Sequence, residues 1–406
     1  MKWERVKLGS LYEVHNGLSK GREFFGSGYP FLSFSVVFNN YFIPNEITDL
    51  VQSTNAEQSS YSIRRGDVFV TRTSETFDEL GMSCVALKDY PHATYNGFTK
   101  RLRPITDRVL PEYIGYFLRL PGFRSGFQAF STMTTRASLK NENLLEMEVL
   151  LPDLPTQHRI ASILSAYDDL IENNRRQIQL LEEAAQRLYR EWFVELRFPG
   201  HEDVKIVDGV PEGWKAETIG NVCCTIGGGT PSTKEKTYYE GGNIPWVTPT
   251  DITRNGCLIL LETEKKITEE GLAHSSAKMV PAWTILMTSR ASVGYFGICE
   301  FPVCTNQGFI SCIPYQENMR FYLLHNLMNR VDEIRAKAGG STYLEISKST
   351  FRDMKIIVPA DEILNSFEES IQKLMMKMKN CKEQNRILTS ARDRLLPKLM
   401  SGEVEV

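Results

Sequence analysis

Short clusters of polar, aromatic and basic residues recur along both halves of the chain, and these residue types are suited to contact a charged ligand. The first half carries them at residues 16–22 (NGLSKGR), 71–74 (TRTS), 95–103 (YNGFTKRLR) and 134–140 (TTRASLK). The second half carries them at residues 230–236 (TPSTKEK), 248–251 (TPTD), 289–292 (SRAS), 305–309 (TNQGF) and 341–343 (STY). Arginine, lysine, amide and hydroxyl side chains supply the donors and acceptors that read base edges and hold phosphates. Because binding residues gather on loops that a scaffold positions, this recurrence favours a nucleic-acid interface in each half.

Within these clusters we predict contacts of two kinds, to base edges and to backbone phosphates. The side chains predicted to contact bases are Arg72, Asn96 and Arg136 in the first half and Thr230, Ser232, Arg290, Asn306 and Gln307 in the second. The side chains predicted to contact phosphates are Lys20, Lys100, Arg101 and Lys234. A structural role stays open for each, since Asn306 or Gln307 could cap a turn and Arg136 could pair with a carboxylate.

No grouping of residues has the spacing that catalysis requires. The segment 227–233 (GGGTPST) lacks the Gly-Lys-Ser/Thr of a phosphate-binding loop, although an enzymatic alternative would read it as a nucleotide site. A glycine-rich methyltransferase turn with an Asn/Asp-Pro-Pro-Tyr/Phe box is absent, and the six histidines are dispersed. None of the eight cysteines forms a Cys-x-x-Cys pair. We therefore predict a non-catalytic chain that binds no metal and no cofactor of its own.

The composition is that of an ordinary folded chain. Hydrophobic residues make up 42% and charged residues 24% of the 406 positions, and the net charge is −3. This length fits two domains with connectors, and this charge restricts any nucleic-acid contact to local basic patches. The first residues lack the apolar stretch of a signal peptide, and no run approaches the roughly 18 apolar residues of a membrane helix. We expect a cytoplasmic protein with reduced thiols.

The elements that must position these clusters repeat along the chain. Gly9 and Gly17 recur as Gly220 and Gly228, at a constant offset of 211 residues. The strand-like segment 147–152 (MEVLLP) recurs at 354–359 (MKIIVP), at an offset of 207 residues. A long amphipathic segment follows each copy, so the order is globule, helix, globule, helix. A repeat of this length indicates two copies of one unit.

Both long segments have the heptad spacing of coiled-coil helices. In the first, one seam position recurs at Ile160, Tyr167, Asn174, Leu181 and Leu188, and the other at Leu164, Ile171, Ile178, Ala185 and Trp192. A shift of 207 residues carries the same register into the second segment, at Phe367, Leu374, Cys381, Leu388 and Leu395 and at Leu364, Ile371, Met378, Asn385, Arg392 and Leu399.

An antiparallel pairing that places Ile160 opposite Leu399 also places Asn174 opposite Asn385. These are the only two amides in the two seams. A slip by one heptad would bury each amide against an apolar side chain, at a cost of about 1–3 kcal/mol for each unsatisfied group. We therefore predict that this amide pair fixes the helix register, as a lone core asparagine can.

Several longer strings resemble one protein family across essentially the whole chain. They include residues 227–252 (GGGTPSTKEKTYYEGGNIPWVTPTDI), 289–298 (SRASVGYFGI), 305–309 (TNQGF), 154–164 (LPTQHRIASIL) and 395–404 (LLPKLMSGEV). In combination they resemble the specificity subunits of type I restriction-modification systems. The first globule matches less closely, because Asn16-Gly17-Leu18-Ser19 stands where the second has Gly-Gly-Thr-Pro-Ser.

The resemblance implies an α+β fold with a pseudo-two-fold internal repeat. Two β-rich target recognition domains would be joined by two long antiparallel coiled-coil helices. We expect the first recognition domain at 1–152, the central spacer helix at 153–198, the second recognition domain at 199–359 and the distal spacer helix at 360–402.

The resemblance further implies a targeting subunit of a restriction and adenine-N6 DNA methyltransferase complex. Each recognition domain would bind one half of an asymmetric double-stranded DNA target, and the helix pair would set the gap and dock two modification (methyltransferase) subunits. S-adenosylmethionine, ATP and Mg²⁺ would belong to the modification subunits and to restriction (translocase and nuclease) subunits. The alternative is a coiled-coil scaffold with two protein-binding heads and no role on DNA.

Overall fold

The chain divides into two compact units, each with one β-rich head and parts of two long helices. The computed structural model describes residues 3–74, 80–130, 137–340 and 343–406. The first unit comprises Met1–Leu170 and Leu388–Val406, and the second comprises Ile171–Ile387. The boundaries between the two compact units therefore fall inside both long helices, whereas the domain boundaries expected from the sequence lie at the helix ends.

Short strands form most of the first head. They are β1 (Glu4–Lys7), β2 (Tyr12–Asn16), β3 (Phe25–Leu32), β4 (Leu50–Val51), β5 (Val68–Thr71), β6 (Thr73–Ser74), β7 (Ser83–Val85), β8 (Thr94–Tyr95), β9 (Thr99–Pro104), β10 (Ala137–Ser138) and β11 (Glu148–Leu151). The helices are α1 (Phe34–Asn39), α2 (Asn55–Ser60), α3 (Pro111–Phe117), α4 (Pro121–Phe130), α5 (Asn141–Glu146) and the long α6 (Leu154–Tyr189), which passes into the second unit.

A four-stranded antiparallel sheet in the order β2-β9-β5-β7 is the centre of the first head. Side chains alternate between the faces of a strand, so β5 serves two cores. Val68 and Val70 pack in one core with Leu102. Phe69 packs on the other face against Tyr95, with ring centroids 4.9 Å apart. The sheet is thus buried on both faces, and its ends are free to carry loops.

The second head contains a similar set of short strands and helices. Its strands are β12 (Ile206–Val207), β13 (Val210–Pro211), β14 (Lys215–Thr218), β15 (Cys223–Gly227), β16 (Ile244–Val247), β17 (Ile259–Leu260), β18 (Lys265–Ile267), β19 (Ile285–Thr288), β20 (Phe296–Cys299), β21 (Cys304–Thr305), β22 (Phe309–Pro314) and β23 (Lys355–Val358). Its helices are α7 (Ile219–Val222), α8 (Pro249–Thr253), α9 (Glu269–Ala273), α10 (Arg320–Asn329), α11 (Val331–Lys337), α12 (Lys348–Arg352) and the long α13 (Asp361–Ser401).

Strand pairing confirms the repeat that the glycine spacing predicts. The second head has a sheet in the order β15-β22-β19-β20-β17, in which the first four strands correspond to β2-β9-β5-β7. The register is equivalent too, because Tyr12 pairs with Pro104 in the first head and Cys223 pairs with Pro314 in the second. An antiparallel pair of β1 with β11, and of β14 with β23, joins the ends of each copy.

The long helices span Leu154–Tyr189 and Asp361–Ser401, and the predicted α+β fold with its helix pair is confirmed. After α6, one turn of π-helix (Arg190–Val194) precedes the Phe198-Pro199-Gly200 stop. In the first unit, Ile160 and Leu164 of α6 share a core with Leu399 of α13. In the second unit, Ile178 of α6 shares a core with Phe367 and Met378 of α13. The helices are antiparallel, since the start of α6 lies with the end of α13.

The two seam amides are hydrogen-bonded to each other within the second unit. Asn174 Nδ2 donates to Asn385 Oδ1 (3.0 Å), and also to Gln384 Oε1 (3.3 Å). Asn174 is buried. The contact is the one that the heptad register places there, whereas its role in fixing that register stays a prediction.

Candidate nucleic-acid interface

Three of the predicted clusters of the first head, and the described end of the fourth, meet at one end of its four-stranded sheet. Leu18 N donates to Tyr95 O (2.9 Å), which joins the segment after β2 to the segment before β9. Leu139 N donates to Arg72 O (2.9 Å), which joins the segment before α5 to the end of β5. Backbone hydrogen bonds therefore hold residues from distant parts of the sequence side by side, as an interface built on loops requires.

Asn96 shapes the turn at the middle of this cluster. Its Oδ1 accepts a hydrogen bond from Phe98 N (2.6 Å), the pattern of an Asx turn. A Cβ atom on Gly17 would lie 2.0 Å from Asn96 O, so only glycine allows the two backbones to approach this closely. The turn uses the side-chain oxygen of Asn96, which leaves Nδ2 as the atom that can donate to a base.

Arg72 and Lys100 bring two positive charges together beside that turn. Lys100 is only 5% exposed, and its Nζ donates to Asn16 Oδ1 (3.3 Å) and to Asn141 Oδ1. Burial, and then the charge of Arg72, lower the pKa of Lys100. Nε of Arg72 is buried, and among the described residues neither cation has a carboxylate partner. Two neighbouring cations without a carboxylate among the described residues favour an anionic ligand.

Two other predicted phosphate contacts are occupied inside the head. Arg101 is buried, and one of its terminal nitrogens donates to Ser62 O (2.9 Å). Lys20 Nζ lies 2.8 Å from Glu57 Oε2, in a contact that shields most of both side chains. The positions of Arg101 and Lys20 therefore give no support to a role on phosphates.

The second head builds the same junction with different side chains. Ser289 N donates to Gly308 O (2.7 Å), as Arg72 N donates to Phe98 O (3.0 Å) in the first head. Ser289 is thus the equivalent of Arg72, and Arg290 comes one residue later. Successive side chains of a strand point to opposite faces, so the arginines of the two clusters do not have equivalent directions.

Asn306 also forms a turn, and this turn brings two predicted contacts together. Asn306 Oδ1 accepts from Gly308 N (2.9 Å), as expected for the capping role that the sequence left open. Thr230 Oγ1 donates to Gln307 Oε1, so these two side chains form one polar group at the surface. A Cβ atom on Gly228 would lie 2.1 Å from Asn306 O, which repeats the glycine contact of the first head.

Arg290 is a predicted contact that is available to a ligand. Its side chain is 46% exposed, and its Nε lies 3.7 Å from Oε2 of the equally exposed Glu345. An exposed pair with this geometry is worth about 0–1 kcal/mol, so a phosphate or base can replace it at little cost. The next residue, Ala291, has a positive φ of 60°, held by a hydrogen bond from its N to Leu344 O (2.8 Å).

The glycine-rich segment 227–233 is a site of close backbone packing. A Cβ atom on Gly229 would lie 2.4 Å from Ala277 N, so glycine is needed for space. The segment leads into a short 3-10 turn (Lys236–Tyr238), not into an α-helix whose N-terminus could face a phosphate. The nucleotide-loop alternative therefore has no structural support. Ser232 and Lys234 lie on the exposed part of this loop.

Lys348 is a candidate contact that the sequence analysis missed. A Cβ atom on Gly227 would lie 3.1 Å from Lys348 Nζ, so the ammonium group covers the end of β15. The equivalent residue in the first head is Asn16, which accepts a hydrogen bond from Lys100. Both heads therefore place an ammonium group at the end of this strand, from α12 in one and from β9 in the other. No spacing rule links these two lysines, because they come from different elements.

Two further predictions have different outcomes. Arg136, together with residues 341–342, lies outside the described residues. The cluster at 248–251 caps α8, because Asp251 Oδ2 accepts from Thr248 N (2.7 Å) and from Thr248 Oγ1 (2.6 Å).

The described residues, 3–74, 80–130, 137–340 and 343–406, contain no group of three or more His, Cys, Asp or Glu side chains that could hold a metal ion. The cysteines are free thiols, and burial raises the pKa of Cys84, Cys299 and Cys304 to about 12. Nor does any helix in these ranges have the length and apolar character needed to cross a membrane.

Comparison with known proteins identifies the fold. A crystal structure of the S subunit of a type I restriction-modification system from M. genitalium aligns over 98% of this chain and 96% of its own, with a TM-score of 0.58 and 17% identity. The type I restriction enzyme MjaIX specificity subunit of Methanocaldococcus jannaschii is 26% identical over 100% of this chain and 94% of its own length. The HindI specificity subunit of Haemophilus influenzae is 25% identical over 99% of both chains.

The architecture is therefore that of a type I S subunit, with two copies of a head and an antiparallel helix pair. Residues 1–183 and 211–387 each match the type I restriction modification DNA specificity domain. The chain belongs to this family, as the motif strings predicted, and its relatives are specificity subunits rather than catalytic ones.

Proposed function

We propose that this chain is a non-catalytic DNA-recognition subunit in which each head reads one half of an asymmetric, bipartite target. The observation that carries the proposal is the loop cluster at the same end of the sheet in both heads. The scaffold of this cluster is shared down to the Gly17 and Gly228 contacts, whereas its side chains differ. A shared scaffold with different side chains suits a DNA-binding protein whose two heads recognise different sequences.

The differences are chemical as well as positional. The first head offers the partly buried Arg72 and the buried Lys100, where the second has Ser289 and the apolar Ile310. The second head offers the exposed Arg290 and the Thr230–Gln307 pair instead. We expect the first half-site to be bound with more charge neutralisation and the second with more neutral hydrogen bonding.

Partner proteins supply the catalytic activities of the complex. The helix pair sets the gap between the two half-sites and docks two modification subunits, which methylate adenine with S-adenosylmethionine. Restriction subunits supply translocation and cleavage with ATP and Mg²⁺. The polar residues that face away from the seams of α6 and α13 leave the helix surfaces open to such partners.

Binding of the chain with a modification subunit to randomised duplex DNA tests the proposal directly. We expect retention of molecules that share two short specific blocks separated by a fixed gap. Retention without sequence preference would contradict the recognition role and would favour a scaffold with protein-binding heads. Mapping methylated adenines in DNA from cells with and without the gene then gives the two blocks independently.

Paired substitutions test the assignment of the halves. Arg290→Ala combined with Asn306→Ala should weaken binding to the second block alone. Arg72→Gln is the matched variant, because it removes an arginine from the other head and should weaken the first block alone. Equal weakening of both blocks by either variant would show that the residue assignment is wrong.

A further inference from the structure

Phe98 is an exposed aromatic side chain in the middle of the loop cluster of the first head. It is 55% exposed, although it immediately precedes the buried start of β9. Single exposed apolar side chains are common on protein surfaces and need no explanation by themselves. Phe98 differs from such residues in how its backbone is held and in what surrounds it.

The backbone of Phe98 is fixed on both sides. Its N donates to Asn96 Oδ1 (2.6 Å), and its O accepts from Arg72 N (3.0 Å). The turn below it is also tightly packed, because a Cβ atom on Gly97 would lie 2.3 Å from Ser19 Oγ. An exposed ring on a rigid turn loses little entropy when it binds, which is the property of an aromatic contact residue.

The register of the sheet places the backbone of Phe98 close to two cationic residues, Arg72 and Lys100. Val70 pairs with Lys100 and Thr71 pairs with Thr99. The hydrogen bond between Arg72 and Phe98 continues this ladder by one step. The backbone of Phe98 therefore lies next to that of Arg72 and two residues before Lys100.

The second head lacks such a side chain, and the equivalent position is tightly surrounded. Its equivalent of Phe98 is Gly308, where a Cβ atom would lie 3.1 Å from Asn306 Oδ1 and 3.3 Å from Pro249 Cγ. The aromatic ring thus occurs in the head that carries Arg72 and Lys100, whereas the equivalent described positions of the other head hold Gly308, Ser289 and Ile310. The combination of apolar ring and positive charge matches the edge of a thymine, which has a methyl group near the phosphate backbone.

We propose that Phe98 is a specificity-determining residue of the first head, which packs on the 5-methyl group of a thymine in the first DNA block. This inference rests on the proposed function and names one contact within it. Arg72 would contribute positive charge near the backbone phosphates next to that base, and Phe98 would supply the selectivity for the methyl group.

The test uses the full chain with its modification subunit and the DNA blocks that wild type selects. Phe98→Ala should relax selection at one or two thymine positions of the first block and leave the second block unchanged. Replacing that thymine by deoxyuridine, which lacks only the methyl group, should weaken wild-type binding about fourfold to tenfold and weaken the variant less than twofold. Phe98→Leu should retain part of the preference.

Ile105→Ala is the matched control, because Ile105 follows the other end of β9 and is 58% exposed. It should leave selection unchanged in both blocks. The inference would be refuted by Phe98→Ala with wild-type selectivity, by equal weakening of both blocks, or by an equal response of wild type and variant to deoxyuridine. Absence of sequence selection by the wild-type chain would refute the proposed function instead, so the two failures are distinguishable.

Discussion

Asp168 joins the first head to both long helices, and its loss should destabilise the first unit strongly. One carboxylate oxygen accepts a hydrogen bond from Tyr116 Oη (2.5 Å), and the other accepts from Arg392 of α13. Tyr116 is fully buried, and the Arg392 side chain is 12% exposed. The guanidinium group also lies 5.2 Å from the ring centre of Tyr41. Asp168 thus connects α6 with α3 and α13.

Asp168→Ala removes the hydrogen-bond acceptor of Tyr116 and one carboxylate partner of Arg392. The Tyr116 hydroxyl loses its acceptor in a buried position, which costs about 1–3 kcal/mol. Breaking a fully buried ion pair costs about 3–5 kcal/mol, but Arg392 keeps Asp393 as a partner at 2.8 Å, and water reaches Asp168. We therefore expect a loss of about 2–3 kcal/mol in the free energy of unfolding of the first unit. Asp168→Asn should lose less, because the amide oxygen can still accept from Tyr116.

Hydrogen exchange along a urea series measures this loss for each unit separately, which matters because a chain with two units need not unfold in one step. Glu172→Ala is the matched control: Glu172 lies one turn further along α6, and its contacts with Arg175 and Arg176 are exposed. It should cost less than about 0.5 kcal/mol. Equal losses for the two variants, or a loss confined to peptides of the second unit, would refute the reasoning.

Three further outcomes are expected. Alanine substitutions of Asn174 and Asn385 should show a coupling energy of about 1 kcal/mol in a double-mutant cycle measured by urea unfolding, whereas additive effects would mean that the pair does not act as a unit. Burial lowers the pKa of His325 to about 4, so His325 should contribute a loss of about 3 kcal/mol to the stability of the second unit as the pH falls from about 6.5 to about 4. Burial raises the pKa of Glu368 to about 7, which acts in the opposite direction, so the His325 contribution is measured as the difference between wild type and His325→Phe in acid denaturation. Gly17→Ala should lower the melting temperature of the first unit by several degrees because of the contact with the 95–98 turn, whereas Gly122→Ala, with open space around its Cβ position, should leave it nearly unchanged.

Much of the fold could be predicted because it depends on local pattern. The offset glycines repeat because they lie at close contacts: a Cβ atom would lie within about 2 Å of backbone at Gly17 and Gly228, and 3.1–3.2 Å from its nearest neighbour at Gly9 and Gly220. The heptad spacing predicted both helices, and the seam amides at Asn174 and Asn385 are in contact. These features follow from residue type and periodicity, which are properties of the sequence itself.

The candidate interface was predicted less completely. The clusters were found by their composition, and the sheet brings several of them together in each head. Which side chains are free could not be read from composition, because Lys20 is held by Glu57 and Arg101 by a backbone carbonyl. Lys348 was missed because only the fold places it over Gly227.

The sequence by itself determined the duplication, the order of heads and helices, and the family. Only the tertiary structure decided which residues of the two heads are equivalent and which are exposed. Arg72 and Arg290 stand in similar strings, yet strand pairing makes Ser289 the equivalent of Arg72. The physical reason is that a shift of one residue in a strand turns a side chain to the opposite face, and the register is set by partners far away in the chain.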